Sequence, residues 1–268
     1  MFWSQKEPPL HQAVIENAPE SVAKLLKQKI DLDTVNALGF TALEIAQFLG
    51  LEKIISLLTP AHTNHIIKIT FPEVPEPIEC SNRDLRAILG VTYRPYLHFA
   101  SYQFFKETVN QCPWILKWIS NNRENQKLYE SFYPNIKRGD VADTEIKWID
   151  REKGLGLFAH VDFPANFYIG EYTGEVRQLH RLKPDHNGYC FHYPTKWWSW
   201  KYLMVDALRS GNELRFMNHS DFPNLNPCCL VDRGLLHLFF VTNREIKAGE
   251  ELTFNYGPDY WQMRDKFA

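Results

Sequence analysis

Four blocks of this chain combine bare backbone, amides and phenols in a way that suits ligand binding and group transfer. They are Lys153-Gly154-Leu155-Gly156-Leu157-Phe158-Ala159, Ile169-Gly170-Glu171-Tyr172-Thr173-Gly174-Glu175, the run from Asp206-Ala207 through Gly211-Asn212 to Asn218-His219-Ser220 and Pro223-Asn224, and Glu251-Leu252-Thr253-Phe254-Asn255-Tyr256-Gly257. Glycine at 154 and 156 leaves main chain that a ligand carboxylate or ammonium can approach, because no Cβ intervenes. By itself a Gly-x-Gly is more often a plain turn. A tyrosine such as Tyr172 can wall an aliphatic stem with its ring while its hydroxyl meets a polar partner, which suits a narrow tunnel with a wet end. It can equally be a core strand residue. Tyr189-Cys190-Phe191 and the three indoles of Trp197-Trp198-Ser199-Trp200 add aromatic surface that is either core or an interaction face.

Taken together and in this order, the four blocks resemble the SET domain, the fold of protein lysine methyltransferases, over about residues 144–258. The resemblance implies a β-rich body whose C-terminal segment threads under a preceding loop in a pseudoknot. It implies S-adenosyl-L-methionine as cofactor, with Gly154, Leu155 and Gly156 contacting its amino-acid end through main chain, Tyr189 touching it, Asn218 hydrogen-bonding the methionine end and the His219 main chain meeting adenine. Tyr256 becomes the catalytic tyrosine, Tyr172 and Phe254 line the substrate lysine channel, and Arg215 pins the pseudoknot. Methyl transfer to an amine is a direct displacement at carbon, so positioning of a neutral lysine nitrogen is the main lever, helped by desolvation in the channel. Relatives carry Phe or Tyr at the position of Phe254; Phe leaves room for further methyl groups, and di- or trimethylation is expected.

Two departures stand out. Many relatives have a zinc-binding Cys directly after His-Ser, where this chain has Asp221, and the tail from Gly257 to Met263 has no Cys, so zinc is not expected. That tail must close the site in another way: Tyr260 or Trp261 lies over the cofactor or the channel as an apolar lid, or packs on the core. The family's usual Asp before the catalytic tyrosine is Asn255 here.

The scaffold around these blocks is legible from the N-terminus onward. Pro8-Pro9-Leu10-His11-Gln12-Ala13 and Thr41-Ala42-Leu43-Glu44-Ile45-Ala46 repeat one pattern at an offset of 33 positions, the period of ankyrin repeats. Residues 1–60 therefore resemble two such repeats, too few for independent stability. They are expected to dock on the segment after residue 60, as a stabilising cap, or to serve as a surface for a protein partner. Three prolines between Phe71 and Pro77 favour an extended connector. A helical region is expected after it, from capping residues Ser81–Asp84 and from the spacing of Tyr96, Phe99, Ala100, Phe104 and Phe105, then of Trp114, Leu116, Trp118 and Ile119. From Glu145 short strands broken by Gly and Pro take over: 146–149, 156–159, 167–173, 203–205 and 235–242. The expected fold is thus α+β, with an all-α part (the repeats, residues 1–60, and a helical connector, 61–143), a SET domain at 144–258 and a tail at 259–268.

Composition sets the frame. Of 268 residues, 44% are hydrophobic and 23% charged, ordinary for a globular protein. A formal charge of −2 gives no global basic field for nucleic-acid binding. No secretory signal or membrane span is legible, so a soluble intracellular protein is expected. The five cysteines are odd in number and lack CxxC spacing, which reads as free thiols in a reducing compartment. The expected partner is a protein substrate, histones leading through family frequency. A non-histone substrate, or a non-catalytic ankyrin/SET scaffold, is the alternative. The pairing of ankyrin-like repeats with a SET domain lacking zinc segments also resembles effectors that intracellular bacteria deliver to host nuclei.

Overall fold

Proline opens the first two helices, α1 (Pro9–Ile15) and α2 (Pro19–Leu26), where its missing N–H costs nothing and its fixed φ suits the first turn. The computed structural model describes residues 6–59, 65–113, 118, 120–179, 187–193 and 202–257. A second helix pair follows, α3 (Ala42–Phe48) and α4 (Glu52–Leu58). Thr41 caps α3 in a reciprocal box with Glu44: the Glu44 N–H donates to Thr41 Oγ1 at 3.2 Å and the Thr41 N–H to Glu44 Oε2 at 2.8 Å. Ahead of it Asn36 Oδ1 accepts from the Leu38 and Phe40 N–H groups, Gly39 takes φ +85°, and His11 reaches the Phe40 carbonyl at 2.9 Å. The two sequence-similar segments therefore each start a helix pair.

The connector departs from the expected all-α character. Residues Ile66–Phe71 (β1) and Val74–Ser81 (β2) form an antiparallel hairpin, and β1 runs parallel to β5 (Thr144–Asp150), which pairs with β6 (Gly154–Ala159). The sheet order is β2-β1-β5-β6, so β2 is an edge. Pro75 and Pro77 are tolerated there because an edge strand can spare N–H groups. After α5 (Leu85–Leu89) come two short strands, β3 (Thr92–Tyr93) and β4 (His98–Phe99), then α6 (Tyr102–Asn110), capped by the Ser101 hydroxyl. Of the expected helical stripe, Tyr96 precedes β4 and Phe99 lies within it; only Phe104 and Phe105 are helical. The expected stretch from Trp114 to Lys117 and Ile119 lies outside the described residues.

The long helix α7 (Arg123–Arg138) begins at an Asn122 cap and ends at Gly139 in the left-handed region (φ +68°). Two further sheets complete the body. Strands β7 (Tyr168–Glu171), β13 (Leu225–Asp232) and β14 (Leu235–Thr242) order as β13-β14-β7. Strands β8 (Glu175–Leu179), β9 (Cys190–Tyr193) and β10 (Tyr202–Asp206) order, with β4, as β4-β8-β10-β9. Small parallel pairs join β11 (Ser210–Gly211) to β3, and β12 (Asn218–His219) to β15 (Thr253–Phe254). A 3-10 turn at Glu213–Phe216 precedes β12.

One core runs through both halves: Ile45, Phe48 and Ile54 of the N-terminal helices share a cluster with Phe99, Phe105, Ile146, Tyr172 and Phe254. Phe48 stacks on Phe105 (5.4 Å) and meets Phe99 edge-on (6.1 Å). All five cysteines are free thiols. Among the described residues no helix is long and apolar enough to cross a membrane.

Candidate active site

The site is assembled where the C-terminal segment lies beside the strand that holds Asn218 and His219. Parallel pairing sets Asn218 opposite Thr253 and His219 opposite Phe254, and the Ser220 N–H donates to the Phe254 carbonyl at 3.2 Å. The same segment is stitched to β6 on its other side, through Leu252 N–H to the Leu157 carbonyl (2.7 Å) and Ala159 N–H to the Glu250 carbonyl (2.9 Å). Asn224 locks this arrangement: its Nδ2 donates to the Glu251 carbonyl (2.8 Å) and its Oδ1 accepts from the Thr253 N–H (2.9 Å). The C-terminal segment is thereby held between the Asn218-His219 loop and the glycine strand, the contact that a pseudoknot needs.

Tyr256 comes directly after this segment. Its hydroxyl donates to the Met217 carbonyl at 2.8 Å, its N–H donates to His219 Nδ1 at 3.2 Å, and its ring lies 5.4 Å from the His219 imidazole. Since Nδ1 accepts, the proton of the neutral ring sits on Nε2, which faces Asp221 at 3.2 Å. The phenol and the Asn-His corner thus adjoin.

Phe254 is buried and passes the aromatic contact on, 4.8 Å from the Tyr256 ring, 4.9 Å from Phe240 and 5.6 Å from Phe191. Phe191 meets Tyr172 edge-on at 4.6 Å. Tyr172 is also buried, and its hydroxyl donates to the Tyr189 carbonyl at 2.9 Å. Burial pushes the Tyr172 phenol well above its usual range, so it stays protonated and able to donate. Tyr172, Phe191, Phe254 and Tyr256 therefore form a continuous aromatic wall.

Tyr189 itself is half exposed. Its ring lies 4.4 Å from the Arg215 guanidinium, whose Nε donates to the Ala207 carbonyl (2.7 Å) and Nη2 to the Leu208 carbonyl (3.1 Å). Arg215 is buried and clamps the loop between β10 and β11. Asn212 does the same for β7, donating to the Glu171 carbonyl at 2.7 Å.

Gly154 adopts φ +73°, and a Cβ on it would meet nothing within 4 Å, so the main chain is bare toward open space there. Gly156 differs: a Cβ would come within 2.6 Å of Ile149 Cδ1 and 3.1 Å of Glu251 Oε1. Leu155 between them offers its carbonyl to Asn218 Nδ2 at 3.3 Å. Asn218 is half-buried, and its Oδ1 has no hydrogen-bond partner among the described residues. Exposed main chain beside a free amide oxygen suits the amino-acid end of S-adenosylmethionine, which carries both donors and acceptors. Trp261, Tyr260 and the indoles at 197, 198 and 200 lie outside the described residues. Among those described, no group of three or more His, Cys, Asp or Glu could hold a metal ion.

Residues 154–257 match the family model described as the SET domain. That stretch is similar to a SET domain over less than half of the chain. Beyond it, the H3 lysine-36 specific histone-lysine N-methyltransferase of Chaetomium globosum is 36% identical over 145 residues, covering 51% of this chain and 14% of that protein. Histone-lysine N-methyltransferase SETD2 of Homo sapiens is 34% identical over 132 residues, 45% of this chain and 5% of its own length. Among solved structures, KRYPTONITE in complex with DNA, an H3(1-15) peptide and SAH shares 28% identity over 43% of this chain and 23% of its own, with a TM-score of 0.36. This chain thus spans only a small part of these relatives' length.

The sequence singles out Tyr172, Asn218, His219, Phe254 and Tyr256, and they do lie together. Sequence reasoning misses Phe191 as a wall, Glu251 as a partner of Asn218, and Asn224 as the lock on the C-terminal segment. Pro223-Asn224 and Glu251 are visible in the motifs, but nothing in their spacing assigns them these contacts.

Proposed function

We propose that the chain transfers methyl groups from S-adenosylmethionine to the side-chain amine of lysine in a protein substrate, histones being the substrate class and di- or trimethyl-lysine the product. The observation that carries this reading is the meeting of the Tyr256 phenol, 2.8 Å from the Met217 carbonyl, with the Asn218-His219 strand at the end of an aromatic wall. The names of the two relatives, both histone-lysine N-methyltransferases, support the substrate class.

S-adenosylmethionine, when bound, supplies an activated methyl group on a sulfonium. Leu155, the bare backbone at Gly154 and the Asn218 amide would hold its amino-acid end, and the His219 main chain its adenine. Tyr172, Phe191 and Phe254 enclose the aliphatic stem of the lysine and exclude bulk water, which favours the neutral amine. The Tyr256 phenol, fixed by the Met217 carbonyl and by His219, holds the amine nitrogen in line for displacement. The lysine proton leaves to solvent before transfer, so the chain needs no strong base.

The helix pairs between Pro9 and Leu58 are read as two ankyrin-like repeats serving as a brace, because their inner faces share the core of the SET body. The transfer reaction is tested with methyl-labelled cofactor and core histones. Tyr256→Phe is expected to lower the rate on the order of 10²-fold while leaving the affinity for S-adenosylhomocysteine unchanged. Full activity in that variant would contradict the role given to the phenol.

A further inference from the structure

The contacts around Asn218 bear on ligand choice, given the methyltransferase role proposed for the site. Asn218 Nδ2 donates to two groups, the Leu155 carbonyl at 3.3 Å and Glu251 Oε1 at 2.8 Å. A carbonyl and a carboxylate are acceptors only, so the amide must turn its NH2 toward both, and both of its hydrogens are spent. The opposite rotation would set Oδ1 against two oxygens. That leaves Oδ1 as an acceptor without a partner among the described residues.

We infer that Glu251 is a positioning residue: it fixes the rotation of the Asn218 amide and so dedicates Asn218 Oδ1 to accepting a hydrogen bond from the ligand's α-ammonium. The carboxylate gives this arrangement a second bias, since a negative charge behind the acceptor favours a cationic donor over a neutral group. Gly156 belongs to the same device. Its missing Cβ leaves the space that Glu251 Oε1 occupies, 3.1 Å from where that Cβ would stand. The glycine therefore makes room for Ile149 and, beside it, for the Glu251 carboxylate. Glu251 is held in place through its backbone by Asn224 and by its bridge to Phe158, so its side chain can be exchanged without releasing the segment.

The experiment is calorimetric titration of the full chain with S-adenosylhomocysteine and with its des-amino analogue, in which hydrogen replaces the α-ammonium. The quantity read is the ratio of the two affinities. Wild type is expected to prefer S-adenosylhomocysteine, and Glu251→Ala should cut that preference about tenfold, chiefly by weakening the amine-bearing ligand. Glu251→Met, which fills the same volume without an acceptor, should do the same and serves if the alanine variant fails to fold. Glu251→Gln keeps an acceptor and should retain most of the preference. An unchanged ratio in the alanine or methionine variant overturns the inference and leaves the methyltransferase reading standing, as does a glutamine variant that loses as much as alanine. Wild type that binds neither ligand takes down both.

Discussion

In the proposed reaction, Phe254 is the side chain expected to set the product. It is buried, and its ring is packed between Phe191, Phe240 and Tyr256 at 4.8 to 5.6 Å. In the proposed lysine channel it would present no polar atom, which would leave room for a methylated amine to turn. Phe254→Tyr would add a hydroxyl that retains a water at the amine, and the product should shift toward monomethyl-lysine. Mass spectra of the methylated substrate check this; an unchanged distribution would contradict it. Among single residues much is legible in the sequence, because Asn218-His219, Phe254 and Tyr256 sit in runs whose order and spacing match a known family. Glu251 and Phe191 are not. Their roles come from neighbours 33 and 63 residues away in sequence, Asn218 and Phe254, and pairings of that kind leave no local pattern.

Among the elements, the strand β7 that leads into Tyr172 depends on a buried pair. His237 Nδ1 on β14 meets Glu171 Oε1 at 2.7 Å, and both side chains are buried. Burial alone would lower the His237 pKa, but the Glu171 carboxylate outweighs it and the value is raised above the ordinary 6.5. A raised folded-state pKa means the imidazolium contributes stability that is fully present below the unfolded value and is lost as pH rises through the folded one. Wild type should therefore lose stability relative to His237→Gln from pH 6.5 upward, since glutamine keeps a donor without a titratable ring. Melting temperatures of the two proteins across that range test it, and a constant difference would contradict it. Strands with clear alternation or apolar runs, such as β14, are legible in the sequence. Others are not. Pro75 and Pro77 disguise β2, an edge strand, and Pro227 with two cysteines disguises β13, whose partner β14 supplies the register. Helix α7 carries Pro134 in its interior and buries only Asn125 and Ile136, so its apolar stripe is faint.

In the whole molecule, the N-terminal helices are fastened to the strand-rich body by Arg233 at the turn between β13 and β14. Its Nη1 donates to the Gly39 carbonyl (2.6 Å), its Nη2 to Glu44 Oε1 (2.7 Å) and to the Tyr133 hydroxyl (2.5 Å), and it lies 4.1 Å above the Phe40 ring. Burial would raise the Glu44 pKa, but Arg233 and Thr41 together hold it below the usual carboxylate value. Removing one member of such a pair strands the other in the interior, so Arg233→Ala should cost about 3 kcal/mol of stability, read by denaturant unfolding. A loss within experimental error would contradict the clamp. Deleting residues 1–60 should go further and lower the melting temperature or solubility of the rest, by exposing Phe99 and Phe105; an unchanged melt would show that the helices are merely appended. The repeat period makes the helix pairs legible, whereas the clamp is not, because Arg233 and Glu44 are 189 residues apart.

The phenol, the Asn-His corner and the aromatic wall are together proposed as a site for methyl transfer to lysine. The most direct test is mass spectrometry of core histones after incubation with the full chain and S-adenosylmethionine, beside a Tyr256→Phe control. Di- or trimethyl-lysine that appears with wild type and is nearly absent with the control is the predicted result. Histones that carry no new methyl-lysine with wild type, or equal amounts with both proteins, would contradict it.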